Sequence, residues 1–358
     1  MVLLTTCSYI PLEIPVALGI PARRAFPRGQ KPVAESYVPR DFCPYSRAVF
    51  SLAKEVEDTS EPGLVLAIAG SCDAMRRVYD AVRMYGNVPT LFVDVPRTVD
   101  ELAVGYFASV LRRFARELAA QSMGQAPGEE ELEERLWRAI RLLDDLRSVA
   151  KKYADMSSSS SQRLELLFAL ERYLGMKDME DAERAGSDGL VDYLGSEGFT
   201  SGEMKSLTGG GPPVILTGTY CLDTSMAEAL DECGFKVAAL DSCWGVRGLE
   251  PGKVQDAGDP FLALAGAYLR KTPCPRILQK DARILALDKL LDDNPGIRGI
   301  VYYLPKFCDQ GYYDYVEVKS FAERKHLPLL MVEGDYGAGK WAQTKTRLMA
   351  FFELLEQR

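Results

Sequence analysis

The sequence predicts an α/β protein in which two parallel-sheet domains flank a helical region, and three observations carry that prediction. Short continuous apolar runs, GLVLAIA at 63–69 and IRGIVYYL at 297–304, have the length and composition of strands buried on both faces. Each is followed by a segment with apolar residues at helical spacing and then by a second apolar run, which makes a strand–helix–strand unit. Between the units, from about Val99 to Lys205, charged and apolar residues alternate with a 3.6-residue period. The resulting division is an α/β domain over 1–98, a helical region over 99–205 and a second α/β domain over 206–358.

Along the chain, MVLLTTCSYIPLEIPVALGI at the N-terminus is apolar, but it lacks a positive leader and is broken by Glu13 and two prolines, so it is not a signal segment. GLVLAIA ends in Ser71-Cys72-Asp73, AMRRVYDAVRMYG forms the crossover helix, and TLFVDVP after Pro89 is the second strand. ELAVGYFASVLRRFARELAA and EEELEERLWRAIRLLDDLRSVAKKYA are long helices, and the serine run Ser157–Ser161 after the second is a loop and helix cap. SLTGGGPP before Val214 is the joint into the last domain. There PPVILTGTY, a helix from about Thr224 and KVAALDSCWG form one unit. IRGIVYYL, a helix from Cys308-Asp309 to Lys325 and PLLMVEGDY form another.

Composition narrows the function classes. A chain of 358 residues with 47% hydrophobic content builds its own cores. Its 43 basic against 51 acidic residues leave a net charge of -8, so no basic surplus attracts nucleic acid or an anionic membrane. No stretch has the ~18 uncharged apolar residues of a membrane span. The expected location is the cytoplasm, where the eight cysteines remain thiols. His326 is the single histidine, which leaves imidazole zinc sites and Ser-His-Asp or Cys-His mechanisms without their central residue. It is read as a surface residue before the last strand.

Parallel sheets place ligand sites beyond the carboxyl ends of their strands, and Cys72, Cys243 and Cys308 all fall there. Gly334, Gly339 and Lys340 match a phosphate-loop spacing. However, Trp341 stands where a magnesium-binding hydroxyl is needed, and too little chain remains for a second acidic strand. The motif is read as a glycine-rich turn, and ATP is not expected to bind this chain.

CPYSRAVF at Cys43, GSCDAMRRVYD at Cys72, LPKFCD at Cys308, the ending VEGDYGAGKWAQTKTRLMAFFELL and the opening SYIPLEIPVALGI together resemble a known family. It is the iron–sulfur subunits, D-component type, of the 2-hydroxyacyl-CoA dehydratase and benzoyl-CoA reductase superfamily. The resemblance implies two tandem flavodoxin-like or Rossmann-like α/β domains with a helical portion. It also implies a 4Fe-4S cubane held by Cys43, Cys72 and Cys308 with one iron open. Thiolates are the soft ligands such clusters take, and backbone N–H groups at the helix starts after Cys72 and Cys308 would offset the anionic charge.

Within the superfamily, TTCSYIPLEIPVALG, ALDSCWG and YLRKTPCP resemble the double-cubane proteins and bring in Cys7, Cys243 and Cys274. Six thiolates are what an 8Fe-9S double cubane implies, three for each cubane. The chain departs from that subgroup at Arg276, where a second cysteine often falls, and at Cys221, which is out of register. Cys221 and Cys233 are therefore read as a helix-start and a core residue. Asp73, Arg47, Asp309 and Gln310 are read either as groups ordering the cluster surroundings or as salt-bridging and capping residues. Ser8 and Glu13 are the catalytic candidates, since the resembling dehydratases keep small polar and acidic groups there.

The implied function is a redox enzyme subunit that takes low-potential electrons from an ATP-hydrolysing iron–sulfur activator and reduces a small substrate. The alternatives are a subunit of a heterodimeric (R)-2-hydroxyacyl-CoA dehydratase acting on an acyl-CoA, and a non-catalytic electron carrier. The implied assembly is a homodimer, or a heterodimer with a homologous subunit.

Overall fold

The structure is a computed structural model. It describes residues 1–25, 32–58, 63–123, 127–154, 159–176, 179–199, 210–219, 225–243, 245–249, 254, 258–335 and 341–358. The chain opens with strand β1 (Val2–Thr5), a short helix α1 (Glu13–Ala17) and strand β2 (Ala22–Arg24). After a 3-10 turn at Pro32–Ser36 come α2 (Pro44–Asp58), β3 (Leu64–Ala69), α3 (Asp73–Tyr85) and β4 (Thr90–Val93). These strands form a parallel sheet in the order β2-β1-β3-β4, with Leu3 beside Ala22 on one side and Val65 on the other.

The helical region consists of α4 (Glu101–Met123), α5 (Glu129–Ala154), α6 (Ser160–Met176) and α7 (Met179–Ser196). The chain continues through β5 (Pro213–Gly218), α8 (Ser225–Glu232), β6 (Lys236–Asp241), α9 (Val246–Leu249), α10 (Pro260–Arg270) and α11 (Lys280–Asp293). It ends with β7 (Gly299–Pro305), α12 (Asp309–Arg324), β8 (Leu329–Gly334) and α13 (Trp341–Glu356). The second sheet is also parallel, in the order β6-β5-β7-β8. Among the described residues no helix is long and apolar enough to cross a membrane.

The continuous apolar runs are explained by burial on two sides. Along β3, Leu64, Leu66 and Ile68 pack with Val49, Phe50 and Val78 of α2 and α3, while Val65, Ala67 and Ala69 enter the main core. β7 divides in the same way: Ile300, Tyr302 and Leu304 meet Leu287, Val318 and Phe321, and Val301 and Tyr303 face the main core. That main core is shared with the helical region. Phe107, Leu111, Phe114 and Leu118 recur at helical spacing on α4 and pack with Leu136, Ile140 and Leu143 of α5 and with Phe261 and Leu264 of α10. Asp259 starts α10 by accepting from the Phe261 and Leu262 amides, with Pro260 in the first turn.

Two short strands, β1 and β2, were not read from the sequence. Four and three residues long, they are too brief to show a period, and they exist because β3 offers β1 an edge to pair with.

Candidate functional site

Strand ends bring the chemistry together. β1 runs into Thr6-Cys7, β3 into Ser71-Cys72, β6 into Ser242-Cys243 and β7 into Cys308, while β5 ends beside Thr219. All of these residues except Ser242 line one cavity of about 710 Å3, counting the space open to solvent, which therefore lies beyond the carboxyl ends of both sheets. Cys43, just before α2, and Cys274, between α10 and α11, complete a set of six cysteines on its wall.

Local structure fixes each thiol. Cys72 caps α3 with extended backbone, φ -154° and ψ 174°, and Cys308 caps α12. The turn before Cys308 forces Phe307 to a left-handed φ of 58°, a conformation that costs a bulky residue roughly 1–2 kcal/mol. Both helices start at the cavity, so their unpaired N–H groups favour negative charge there. Cys43 is followed by Pro44 at the start of α2, and its carbonyl accepts from the Arg47 amide at 3.1 Å. The Cys274 amide donates to the Tyr9 hydroxyl at 3.2 Å, which ties the loop before α11 to the N-terminal segment.

The thiols fall into two neighbouring groups. Cys43 and Cys308 hydrogen-bond through their side chains; this holds the Cys43 thiol below the ordinary range against its burial and pushes Cys308 up. Cys72 interacts with both, and burial pushes it up to about 11. Cys243 and Cys274 form the other hydrogen-bonded pair, which lowers Cys274 to about 6 and raises Cys243. Cys7 joins that pair and is raised chiefly by burial.

Four buried cations surround the thiols. Arg24 donates from Nη1 to the Cys243 carbonyl at 3.0 Å and pairs with Glu171 at 3.0 Å. Arg247 pairs through Nε with Asp241 at 2.9 Å and sits below Cys243 at the end of β6. Burial would push Asp241 up, but Arg247 and Arg283 outweigh it and hold the carboxyl low. Lys271 donates to the Ser8 carbonyl at 2.7 Å over the Tyr9 ring; burial, with Arg24 nearby, pushes its ammonium down to about 7. Arg276 donates from Nη2 to the Val95 and Pro96 carbonyls, both at 2.7 Å.

The other expected positions divide. Ser8 is buried and lines the cavity, as does Gln310, whose amide oxygen accepts from Arg97 at 3.1 Å. Glu13 lies elsewhere. It is fully buried on α1, paired with Arg147 of α5 at 2.5 Å and accepting from the Tyr268 hydroxyl of α10 at 2.7 Å, and it does not line the cavity. Arg47 spans the two sheet domains through Asp335 at 2.8 Å and Glu35 at 3.6 Å. Asp73 and Asp309 are exposed at helix starts, Cys233 is buried in the core, and His326 is exposed. Cys221, Gly339 and Lys340 lie outside the described residues. Sequence reasoning did not single out Thr6, Arg24, Tyr45, Thr219 or Lys271: Thr6, Tyr45 and Lys271 lie inside motifs read for their cysteines, and Arg24 and Thr219 lie in no motif.

The donor set suits a particular class of occupant. Among the described residues no three Cys, His, Asp or Glu side chains converge tightly enough to hold one metal ion. Six soft thiols instead line one cavity flanked by cations and helix N-termini, an arrangement that fits a multi-iron, sulfur-bridged anion better than a single cation.

Comparison with known proteins identifies a family. Residues 7–355 match the family model described as 2-hydroxyglutaryl-CoA dehydratase, D-component. The Escherichia coli (strain K12) chain YjiM is 22% identical over 98% of this chain and 90% of its own length. The (R)-phenyllactyl-CoA dehydratase beta subunit of Clostridium sporogenes is 22% identical over 97% and 90%. The lactoyl-CoA dehydratase subunit beta of Anaerotignum propionicum is 21% identical over 90% and 82%.

Proposed function

This chain belongs to the 2-hydroxyglutaryl-CoA dehydratase, D-component, family, and we propose that it is the iron–sulfur subunit of a heterodimeric (R)-2-hydroxyacyl-CoA dehydratase. The observation that carries this reading is that the relatives named for a defined reaction are beta subunits of acyl-CoA dehydratases, matched nearly end to end. In this reading Cys43, Cys72 and Cys308 hold a 4Fe-4S cubane, and an ATP-hydrolysing iron–sulfur activator delivers electrons to it. When bound, the cluster supplies low-potential single electrons and an iron open to an oxygen ligand.

The chain's own residues supply the rest. The two sheets, locked together by the Arg47 to Asp335 ion pair, hold the thiols at fixed positions around the cavity. The N-termini of α3 and α12 and the cations around Cys243 stabilise negative charge in a buried space. The reaction removes water from a 2-hydroxyacyl-CoA to give an enoyl-CoA. It has no net redox change, so the electron is recovered after each elimination.

One observation favours a second reading. Cys7, Cys243 and Cys274 line the same cavity as the first three thiols, which supports an 8Fe-9S double cubane in a reductase of small substrates. Anaerobic iron and sulfide quantitation, followed by assay with an activator, ATP and (R)-phenyllactyl-CoA or (R)-lactoyl-CoA, tests both. About four irons per chain with enoyl-CoA formation is the dehydratase outcome. About eight irons without dehydration would replace it with the double-cubane reductase, and bound iron with neither activity would make the chain a carrier.

A further inference from the structure

Resting on the reading that an iron–sulfur cluster occupies the thiol-lined cavity, a further role can be assigned among the four cations. Arg24 and Arg247 each contact a buried carboxyl group, Glu171 at 3.0 Å and Asp241 at 2.9 Å. Lys271 is committed to the Ser8 carbonyl at 2.7 Å, over the Tyr9 ring. Arg276 is different. It is 3% exposed, it has no carboxylate partner among the described residues, and a guanidinium stays protonated under all working conditions.

Its hydrogen bonding is incomplete in a specific way. Nη2 is used up on the Val95 and Pro96 carbonyls, whereas Nε and Nη1 are buried without partners. A buried charged N–H left unpaired is costly, so these two groups call for an acceptor. Arg276 lines the cavity, and its guanidinium lies 5.6 Å from the Tyr9 ring centroid beside Cys274. It shares the cavity wall with Cys7 and Cys274 of one group and Cys72 of the other.

We propose that Arg276 sets the reduction potential of the cavity's occupant, donating from Nε and Nη1 to an anionic sulfur-rich group and placing one uncompensated positive charge between the two thiol groups. Reduction adds one electron and makes that occupant more negative. A fixed cation and N–H donors to sulfur stabilise the reduced form more than the oxidised one and so raise the potential. Arg276 is a positioning residue in this sense, acting through the cluster without bonding to iron.

The test uses the full chain, loaded anaerobically with iron and sulfide, as wild type, Arg276→Gln and Arg276→Lys. Iron per chain, the melting temperature and the potential from a spectroelectrochemical titration are read on each. In Arg276→Gln the reduced-to-oxidised ratio at a fixed poise should fall at least about tenfold, which is 59 mV for a one-electron couple. Arg276→Lys, which keeps the charge and loses the fork, should fall between the two. A Gln variant that holds iron at the wild-type potential overturns the proposal. If the Gln variant does not fold or load, the Lys variant decides: a lowered potential supports the proposal, and an unchanged one overturns it. Wild-type protein that takes up no iron would instead sink the cluster reading itself, a failure visible before any variant is compared.

Discussion

Glu13 offers the sharpest separation between a role in chemistry and a role in the fold. The family resemblance implies a place near a substrate, whereas the structure buries its carboxylate completely between Arg147 Nη1 at 2.5 Å and the Tyr268 hydroxyl at 2.7 Å. Removing the charge with Glu13→Gln leaves the Arg147 guanidinium buried, with Asp144 at 3.8 Å as its remaining anion and that residue half in solvent. Breaking one side of a buried pair costs about 3–5 kcal/mol, and the retained Gln acceptor for Tyr268 places the expected loss near the lower end. Arg147→Met alone should cost as much, because it strands the carboxylate. The double variant should be less destabilised than the sum by at least about 2 kcal/mol, since replacing both charges removes the stranded one. Urea unfolding followed by far-ultraviolet circular dichroism measures all three, and iron per folded chain should stay at the wild-type level. A Glu13→Gln protein as stable as wild type but inactive would refute the structural account and return the residue to the substrate.

The same geometry makes three other outcomes measurable. Alanine at Cys43, Cys72 or Cys308 should remove most bound iron. Alanine at Cys7, Cys243 or Cys274 should remove about half if a double cubane is present and none if a single cubane is, as read by iron assay and visible absorbance. Gly218 ends β5 at φ 129°, and a Cβ there would overlap the Tyr303 carbonyl of the adjacent β7. Gly218→Ala should therefore cost at least about 2 kcal/mol in a urea titration, and a neutral substitution would contradict the close approach of these strands. Burial raises Glu171 from 4.5 to about 7 against the pull of Arg24 and Lys271. The native state then holds the proton more tightly than the unfolded chain, so this contribution is full below about pH 4.5 and is lost as pH rises to about 7. Glu171→Gln should flatten that fall in melting temperature, and an unchanged slope would show that Glu171 is already ionised.

Local patterns were enough for part of this molecule. The apolar runs of β3 and β7, the crossover helices after them and the Cys-Asp turns at their ends were all legible, because burial on both faces and helix starts leave marks within a dozen residues. The thiols of Cys72 and Cys308 could be placed at strand ends for the same reason. β1 and β2 could not be read, since a strand of three or four residues has no measurable period and depends on the edge that β3 presents. Tertiary structure decided three further matters. It brought Cys7, Cys43 and Cys274 to the wall already holding Cys72, Cys243 and Cys308, because a core shared by both sheets and α4, α5 and α10 turns the carboxyl ends of the two sheets toward one cavity. It moved Glu13 off that wall, because α1 packs between α5 and α10 and a buried carboxylate must find Arg147 there. It left Arg276 with two unpaired N–H groups beside the thiols, because its other donor is held by the Val95 and Pro96 carbonyls, some 180 residues earlier in the chain. Sequence fixes what each segment prefers within its own turn or strand, and only the packing of distant segments determines which side chains meet.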